Sequence, residues 1–398
     1  MSKEKLIPEL RFPEFKNEGE WEEDMVYNLV FTITPPKKIT SSNYQKYGKF
    51  PIIDQSKNYY CGWTNDNEAV ITEDLPLIIF GDHTCVIKIA KKPFAQGADG
   101  IKILKTKDKI FPEYLFHYLC HNEVVMEDYK RHYSILKDKV IVFPNINSGE
   151  QQRIASCLSS LDEVIEAHSK KLELLKDHKK GLMQNLFPQE GENVPKYRFP
   201  EFTKDGVWTE KSLDEVATIL KGKGISKADI VEDGELPCIR YGELYTHYNE
   251  TISTVKSYTN SSPEDLILSK ANDVIIPASG ETQIDIAKAS CVLESGVALG
   301  GDLNIIRSKI NGVFLSYYLN NAKKKDIAQM AQGIAVVHLY PNQLKTLKLQ
   351  VPNPTEQQKI ASCLSSLDEL IAAQVAKIEQ LKLHKKGLMQ GLFPKIND

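Results

Sequence analysis

Two stretches of the chain place apolar residues at alternating spacings of four and three. In the first, Ile154, Leu158, Leu161, Ile165, Leu172, Leu175, Leu182 and Leu186 fall on one seam, which His168 and Lys179 complete. The second runs Ile360, Leu364, Leu367, Ile371, Gln374, Ile378, Leu381, Lys385, Leu388 and Leu392, the identical series. A seam held for about five heptads predicts a coiled coil. Thr355 and Gln358 form a capping-box pattern at the second start. Leu-Phe-Pro closes both stretches, because proline cannot continue a helix. Each helix, at ~37 residues and ~1.5 Å per residue, is ~55 Å long. Two such helices pair most simply with each other. The intervening domain is long enough to return the chain to the far end, which gives an antiparallel pair with a pseudo-twofold axis and one domain at each end. His168 and Gln374 take equivalent mid-seam places, either as register-setting polar residues or facing solvent at a kink.

Outside these stretches the pattern shortens to β-like runs. In the first block they are Phe50–Asp54, Leu77–Phe80, Thr84–Ile89, Ile101–Leu104 and Lys139–Phe143. In the second they are Pro237–Arg240, Asp273–Pro277, Ser290–Leu293, Leu303–Arg307 and Leu347–Val351. A helix is predicted before each last strand, over Pro112–Tyr129 and Val313–Met330. The fold class is therefore α+β: two mixed domains, 1–149 and 189–355, separated and joined by helices 150–188 and 356–398.

The chain repeats itself. Pro8-Glu-Leu-Arg-Phe-Pro-Glu-Phe15 recurs as Pro195-Lys-Tyr-Arg-Phe-Pro-Glu-Phe202, and Trp21 recurs as Trp208 at the same offset. Residues 150–188 recur as 356–394 with 29 of 39 positions identical. The blocks between correspond only weakly: Leu77-IIFGDHT with Val274-IIPASGET, and Lys49-FPIIDQS with Glu235-LPCIRYGE. Two segments that stay alike share one job, and two blocks that differ do related but different jobs. The bland alternative is recent duplication with relaxed loops.

Composition adds limits. The chain has 398 residues, 41% hydrophobic and 26% charged, with a formal charge of −3, a soluble globular balance of two to three domains. Residues 1–149 carry twenty basic against twenty-one acidic side chains, and residues 196–355 eighteen against nineteen. Net charge is thus no argument for nucleic acid, although a basic face can hide in a neutral total. The start MSKEKLIPEL lacks the apolar core of a signal peptide, and no apolar run spans a bilayer. Seven scattered cysteines without a CxxC read as reduced thiols in a cytoplasmic protein.

Catalytic signatures are missing. The sequence has no P-loop, no GxGxxG after a strand, no GxSxG and no HExxH. Thr34-Pro-Pro-Lys37 only approaches the tetrapeptide of amino-methyltransferases. His117, Cys120 and His121 share a predicted helix and are the one metal-like cluster, but the second block has Tyr317 to Asn321 there. Half-buried helix residues are the preferred reading, so no metal site is assigned.

The order of variable block, long helix with EQQ[RK]IASCLSSLDE and HKKGLMQ-x-LFP, second variable block and the same helix again resembles the specificity subunit of a type I restriction–modification system. The RFPEF entry to each half and VPNPTEQQKIA before the second helix match as well. The resemblance covers about residues 8 to 394. It implies that each variable block is a target recognition domain reading one half of a bipartite, asymmetric double-stranded DNA sequence. It implies that the helices set the half-site spacing and dock two methyltransferase subunits, which restriction subunits join. It also implies no catalysis and no cofactor in this chain; S-adenosylmethionine, ATP and Mg²⁺ belong to the partners. A structural adaptor that binds proteins rather than DNA is the alternative.

Candidate DNA contacts lie on loops flanking the strands. In the first domain they are Lys37, Lys38, Gln55, Lys57, Asp82, His83 and Thr84. In the second they are Lys221, Lys223, Arg240, Tyr241, Ser279, Glu281, Thr282 and Gln283. The turn from Lys221 to Gly224 offers amides and lysines to phosphate, and Arg240 and Gln283 are types that pair with guanine and adenine edges. Tyr59 and Tyr60 pack on sugar or, preferably, support the core. Partner contact is expected from Gln151, Gln152, Leu174, Met183 and Phe187, and from Gln357, Gln358, Met389 and Phe393, with packing against the chain's own domain as the alternative for the two phenylalanines. Lysines 179, 180, 385 and 386 anchor DNA phosphates or, preferably, are solvated.

Overall fold

The computed structural model describes residues 6–72, 74–98, 100–127, 131–333 and 336–394. The chain divides into two compact units, residues 1–170 with 375–398, and residues 171–374. Each unit holds one globular region and part of each long helix.

In the first unit, strands Val30–Ile33, Ile101–Thr106, Leu77–Gly81 and Ile87–Ala90 form one antiparallel sheet in that order. Strand Leu77–Gly81 is buried along its whole length, which explains its unbroken apolar run. One face, with Ile78, Phe80 and Leu104, packs on helix Pro112–His121 through Leu115 and Tyr118. The other, with Leu77, Ile79 and Ile103, meets Ile53 and Phe94 of a second sheet. That sheet runs Gly62–Thr64, Phe50–Ile53, Phe94–Gln96 and Val70–Ile71.

The second unit repeats this plan with different lengths. Its main sheet runs Ala217–Lys221, Leu303–Ser308, Asp273–Pro277, Ser290–Val292 and Thr251–Ile252. A smaller sheet runs Ile230–Val231, Ser257–Thr259, Leu236–Ile239 and Ala298–Leu299. In both units a short strand after the RFPEF segment pairs with the strand that leads into a long helix: Glu22–Met25 with Val140–Phe143, and Thr209–Ser212 with Lys348–Val351.

The expected strands are present with shifted ends, but both expected domain helices are shorter. Pro112–Tyr129 ends at His121, and a separate helix covers Tyr133–Asp138. Val313–Met330 breaks at Asn321 into Gly312–Asn320 and Lys324–Met330. The break has a local cause. The Asn320 amide bonds both the N–H and the carbonyl of Ala289, and the Asn321 amide donates to the Met183 carbonyl. These side chains tie the helix end to other elements instead of extending it.

The long helices are Glu150–Asn185 and Pro354–Leu392. Every seam position named above, His168 and Gln374 included, is buried or half-buried, whereas Leu174, Leu370 and Leu383 off the seam are exposed. Within each unit the two helical segments run antiparallel. In the first, Leu10 N–H donates to Gly391 O and Arg11 grips Glu150, while Asp162 meets Lys385. The partner number falls as the first helix advances. In the second, Tyr197 N–H donates to Asn185 O and Arg198 grips Glu356, while Lys179 meets Asp368.

The repeated motifs have a shared structural use. Arg11 holds both oxygens of Glu150 at 2.8 and 2.7 Å, and Arg198 holds Glu356 at 2.8 and 2.8 Å. Both glutamates are almost wholly buried at a helix start, where a carboxylate also suits the helix dipole. Each pairing raises its arginine's pKa, led by the carboxylate hydrogen bond.

Candidate nucleic-acid interface

In the first domain the chain leaves strand Phe50–Ile53 through Asp54 to Asn58, and leaves strand Leu77–Gly81 through Asp82 to Cys85. The two loops touch: Thr84 Oγ1 donates to the Gln55 carbonyl at 2.7 Å. Between them, Gln96 and the segment Gly100 to Lys102 lies a cleft of about 440 Å³ lined by Lys38, Gln55, Asp82, His83, Gln96, Lys102 and Arg131, among others. Four of the expected DNA contacts therefore meet in one place. A second cleft of about 490 Å³ shares Lys38 and adds Lys37. The lining of the first of these clefts, with Lys38, Lys102 and Arg131 against Asp82, is cationic although the whole domain is nearly neutral, which is the hidden basic face that a net charge cannot reveal.

The second domain builds its clefts at the equivalent places from other residues. Tyr241 stands where Gln55 stands. Ala278, whose N–H donates to Asp302 O as Asp82 N–H donates to Gly100 O, stands where Asp82 stands, one residue before Ser279. The loops again touch, through Tyr245 OH donating to the Ser279 carbonyl at 2.9 Å. Tyr241, Ser279 and Glu281 line a cleft of about 790 Å³ with Tyr245, Asp285, Lys288 and Lys324. Arg240 and Tyr241 line an adjoining cleft of about 590 Å³ with Lys227 and Asp302. Arg240 Nε is buried and unpartnered among the described residues, a donor left unmet within the chain. Burial lowers the Lys288 pKa.

Several expected contacts have other work. Lys37 pairs with Asp66 at 2.6 Å. Asp82 is buried, and its Oδ1 caps Tyr133 N–H at 2.9 Å while its carbonyl accepts from His132 N–H, so it fixes the loop that carries Arg131. Thr282 caps the short helix Gln283–Ile286 and donates to Asp285 at 2.6 Å. Gln283 points its amide at the Ala331 carbonyl at 3.4 Å. The turn from Lys221 to Gly224 does not present free amides as expected. Gly222 N–H donates to Leu303 O and Lys223 N–H to Leu299 O, because the turn extends the sheet. A Cβ on Gly222 would stand 2.0 Å from the Gly300 carbonyl, so its glycine serves a close backbone approach. Lys57, Lys221 and Lys223 are exposed and line none of these clefts.

Gln96, Lys102, Arg131, Tyr245, Lys288 and Lys324 were not expected here. Lys102 interrupts the β-like run Ile101–Leu104 with a polar residue, a signal visible in the sequence. Arg131, Lys288 and Lys324 depend on tertiary folding and gave none. Tyr59 and Tyr60 pack edge to face at 4.7 Å, and Tyr59 OH donates to the Ile89 carbonyl. Their role is support, with one face still exposed.

The expected partner surface also divides. Phe187 and Phe393 are buried in the domain cores, the first against Phe314 and Tyr318 and the second against Tyr114 and Tyr118. Met389 is buried beside Phe393, and Met183 packs on the second core. Gln151 accepts from Phe111 N–H at 2.7 Å and donates to Lys109 and Pro144 carbonyls. Gln357 accepts from Asn311 N–H and donates to Pro352 O. These six side chains brace helix ends against the chain's own domains. Gln152 is half-buried, while Leu174 and Gln358 remain exposed. Lys179 and Lys385 are not solvated either: each forms a cross-helix ion pair. Lys180 and Lys386 are exposed.

His117 is buried, with Nε2 3.0 Å from Ser159 Oγ and Nδ1 3.9 Å from Asp162. Burial, with Lys385 and Lys91, lowers its pKa to about 3. His121 packs its ring on Phe393. No group of three metal-ligating side chains occurs among the described residues.

Comparison with known proteins decides the family. Residues 20–177 and 206–383 match the type I restriction modification DNA specificity domain. The chain belongs to that family. It is 26% identical to the type I restriction enzyme MjaVIII specificity subunit of Methanocaldococcus jannaschii, over 96% of this chain and 93% of the relative. It is 23% identical to the EcoR124I/EcoR124II specificity subunit of Escherichia coli, over 83% and 82%. The crystal structure of the type I restriction–modification S subunit from M. genitalium superposes with a TM-score of 0.66, covering 98% of this chain and all of that one at 16% identity. As a type I specificity subunit, the chain has DNA sequence recognition as its role, and the adaptor alternative is not favoured. Among the described residues no helix is long and apolar enough to cross a membrane.

Proposed function

We propose that each domain of this specificity subunit reads one half of a bipartite, asymmetric DNA target through the clefts described above. The observation that carries this is equivalence of place with difference of residue. Gln55 in one domain stands where Tyr241 stands in the other, and the next loop carries Asp82, His83 and Thr84 in the first but Ser279 and Glu281 in the second. One scaffold thus presents two chemistries, which is what two unlike half-sites require. Shape readout adds to this wherever loops meet the backbone.

The repeated helices hold the half-sites apart and dock two copies of the methyltransferase subunit. Near-identical helices offer two near-identical surfaces, and so suit two copies of one partner. Exposed apolar side chains recur at Val164 and Leu370, one repeat apart. A helix of 36 residues is about 54 Å long, longer than one DNA turn of about 34 Å. The chain has no catalysis of its own; adenine methylation, ATP-driven restriction and their cofactors S-adenosylmethionine, ATP and Mg²⁺ sit in partner subunits in the cytoplasm. Partners also supply phosphate contacts beyond those of the cationic first cleft, since each domain is nearly neutral as a whole.

The test is methylation sequencing of host DNA after co-expression with the methyltransferase subunit. A split, asymmetric methylated motif that disappears without this chain is expected. Exchanging residues 7–149 for those of a relative should change one half of the motif only. A stable complex that leaves no mark would overturn the reading.

A further inference from the structure

Lys88 is a lysine with almost no exposed surface, in strand Ile87–Ala90. Its Nζ donates to the Asp54 carbonyl at 2.7 Å and the Asn58 carbonyl at 2.6 Å. Burial lowers its pKa, opposed by nearby Asp54 and Cys61. A buried ammonium is costly unless its donors are used, and two are used here on the two ends of one five-residue loop. That loop, Asp54 to Asn58, carries Gln55 and Lys57. Thr84 takes the Gln55 carbonyl from the other side, and Asp54 Oδ1 accepts from Ser56 N–H. The Gln55 amide lies against Gly100, whose Cβ would fall 2.7 Å from Gln55 Nε2, so glycine there leaves room for it. The second domain holds the equivalent segment differently. It forms the short helix Tyr241–Thr246, where Glu243 accepts from Arg240 N–H at 2.7 Å and from the Ser257 hydroxyl.

We propose that Lys88 is a positioning residue for the first half-site: it clamps the Asp54 to Asn58 loop in the shape that presents Gln55 and Lys57 to DNA. Lys88 itself is too buried to touch DNA. This inference rests on the recognition role proposed above. Its effect is confined to one half of the target, because the second domain holds its loop without a lysine.

The experiment reads the methylated motif of the complex with the methyltransferase subunit for wild type, Lys88→Met, Thr84→Val and Gln55→Ala. Lys88→Met keeps the volume and removes the donors. The complex is expected to assemble and to keep the second half of the motif, while discrimination at one or more first-half positions falls about tenfold, the worth of a good base contact. Thr84→Val and Gln55→Ala should relax the same positions. A merely structural lysine would lower the methylated fraction with the motif unchanged, and that result overturns the inference. If Lys88→Met does not fold, an unchanged first half in both other variants overturns it as well. A wild-type complex that writes no split motif defeats the recognition reading itself, and is told apart because it appears before any substitution is made.

Discussion

Lys385 Nζ stands 2.6 and 2.7 Å from the two carboxylate oxygens of Asp162, and one repeat away Lys179 stands 2.7 Å from Asp368. The four residues are two repeat-related pairs, Asp162 with Asp368 and Lys179 with Lys385. Each ion pair, Asp162–Lys385 and Asp368–Lys179, joins one long helix to the other inside one unit. Lys179 also reaches Glu250 at 3.1 Å. Burial lowers its pKa, but Glu250 and Asp368 outweigh that and raise it. A lysine at an apolar seam position therefore acts as a register key rather than a solvated tail.

The pairs should be separable by mutation. Lys385→Met should lower stability by about 1–3 kcal/mol, because Asp162 is only half-buried and water can cover part of the loss. Lys179→Met should cost more, since it strands two carboxylates. In a double-mutant cycle, Lys385→Met with Asp162→Asn should show coupling, while Lys385→Met with Lys179→Met should add. Denaturant unfolding of these variants checks this, and additivity within the Lys385–Asp162 cycle would refute the key.

The arginine clamps should be stricter. Arg11→Ala leaves Glu150 buried and unpaired, as Arg198→Ala leaves Glu356, and breaking a buried pair typically costs about 3–5 kcal/mol. Replacing both partners, as in Arg11→Met with Glu150→Gln, should recover much of the loss. Calorimetry that found Arg11→Ala within about 0.5 kcal/mol of wild type, the range of an ordinary surface substitution, would show the clamp to be ornamental.

Much of this was legible in the sequence, unevenly. The four-three seam placed both helices and their inward faces, since a period of 3.5 has few competing explanations. The repeat placed the two domains and paired Gln55 with Tyr241. Side-chain roles were less legible. Phe187 and Phe393 leave partner contact and packing on their own domain equally open in a linear reading, and tertiary contacts with Tyr318 and Tyr118 decide for packing. Asp82 and Thr282 resemble base readers by type, yet Thr282 caps its own short helix, as short acceptors near a turn find backbone N–H groups first, while Asp82 takes Tyr133 N–H from a segment distant in sequence. Short polar strands such as Thr209–Ser212 escaped notice because only their pairing with Lys348–Val351 defines them.

Charge within the first cleft should govern DNA affinity. Lys38→Ala, Lys102→Ala and Arg131→Ala should each weaken binding of the assembled complex. For every phosphate that the substituted cation neutralises, the slope of log K against log salt should become shallower by about 1. Lys57→Ala, on an exposed residue outside the cleft, is expected to do so only if the loop reaches the backbone. A salt titration with target and unrelated duplexes separates the cases: removing a phosphate-binding cation weakens both equally, whereas removing a base reader weakens the target alone.

His117 should make the first unit sensitive to acid. Its folded pKa is held at about 3 by burial, with Lys385 and Lys91 adding to it, while the unfolded chain titrates near ~6.5. Between those values the unfolded state binds a proton that the folded state refuses, so stability falls as pH falls. The loss is about 1.4 kcal/mol per pH unit across that window. At the equivalent place the second unit has Tyr317, whose hydroxyl donates to Asp368 at 2.5 Å and whose pKa is raised, first by burial. It takes up no proton in this range. His117→Gln should therefore flatten the pH dependence of unfolding between about pH 6 and 4, with the wild type losing about 2 kcal/mol more than the variant over that interval. Parallel curves for the two proteins would mean that His117 opens to solvent and accepts its proton before the unit unfolds.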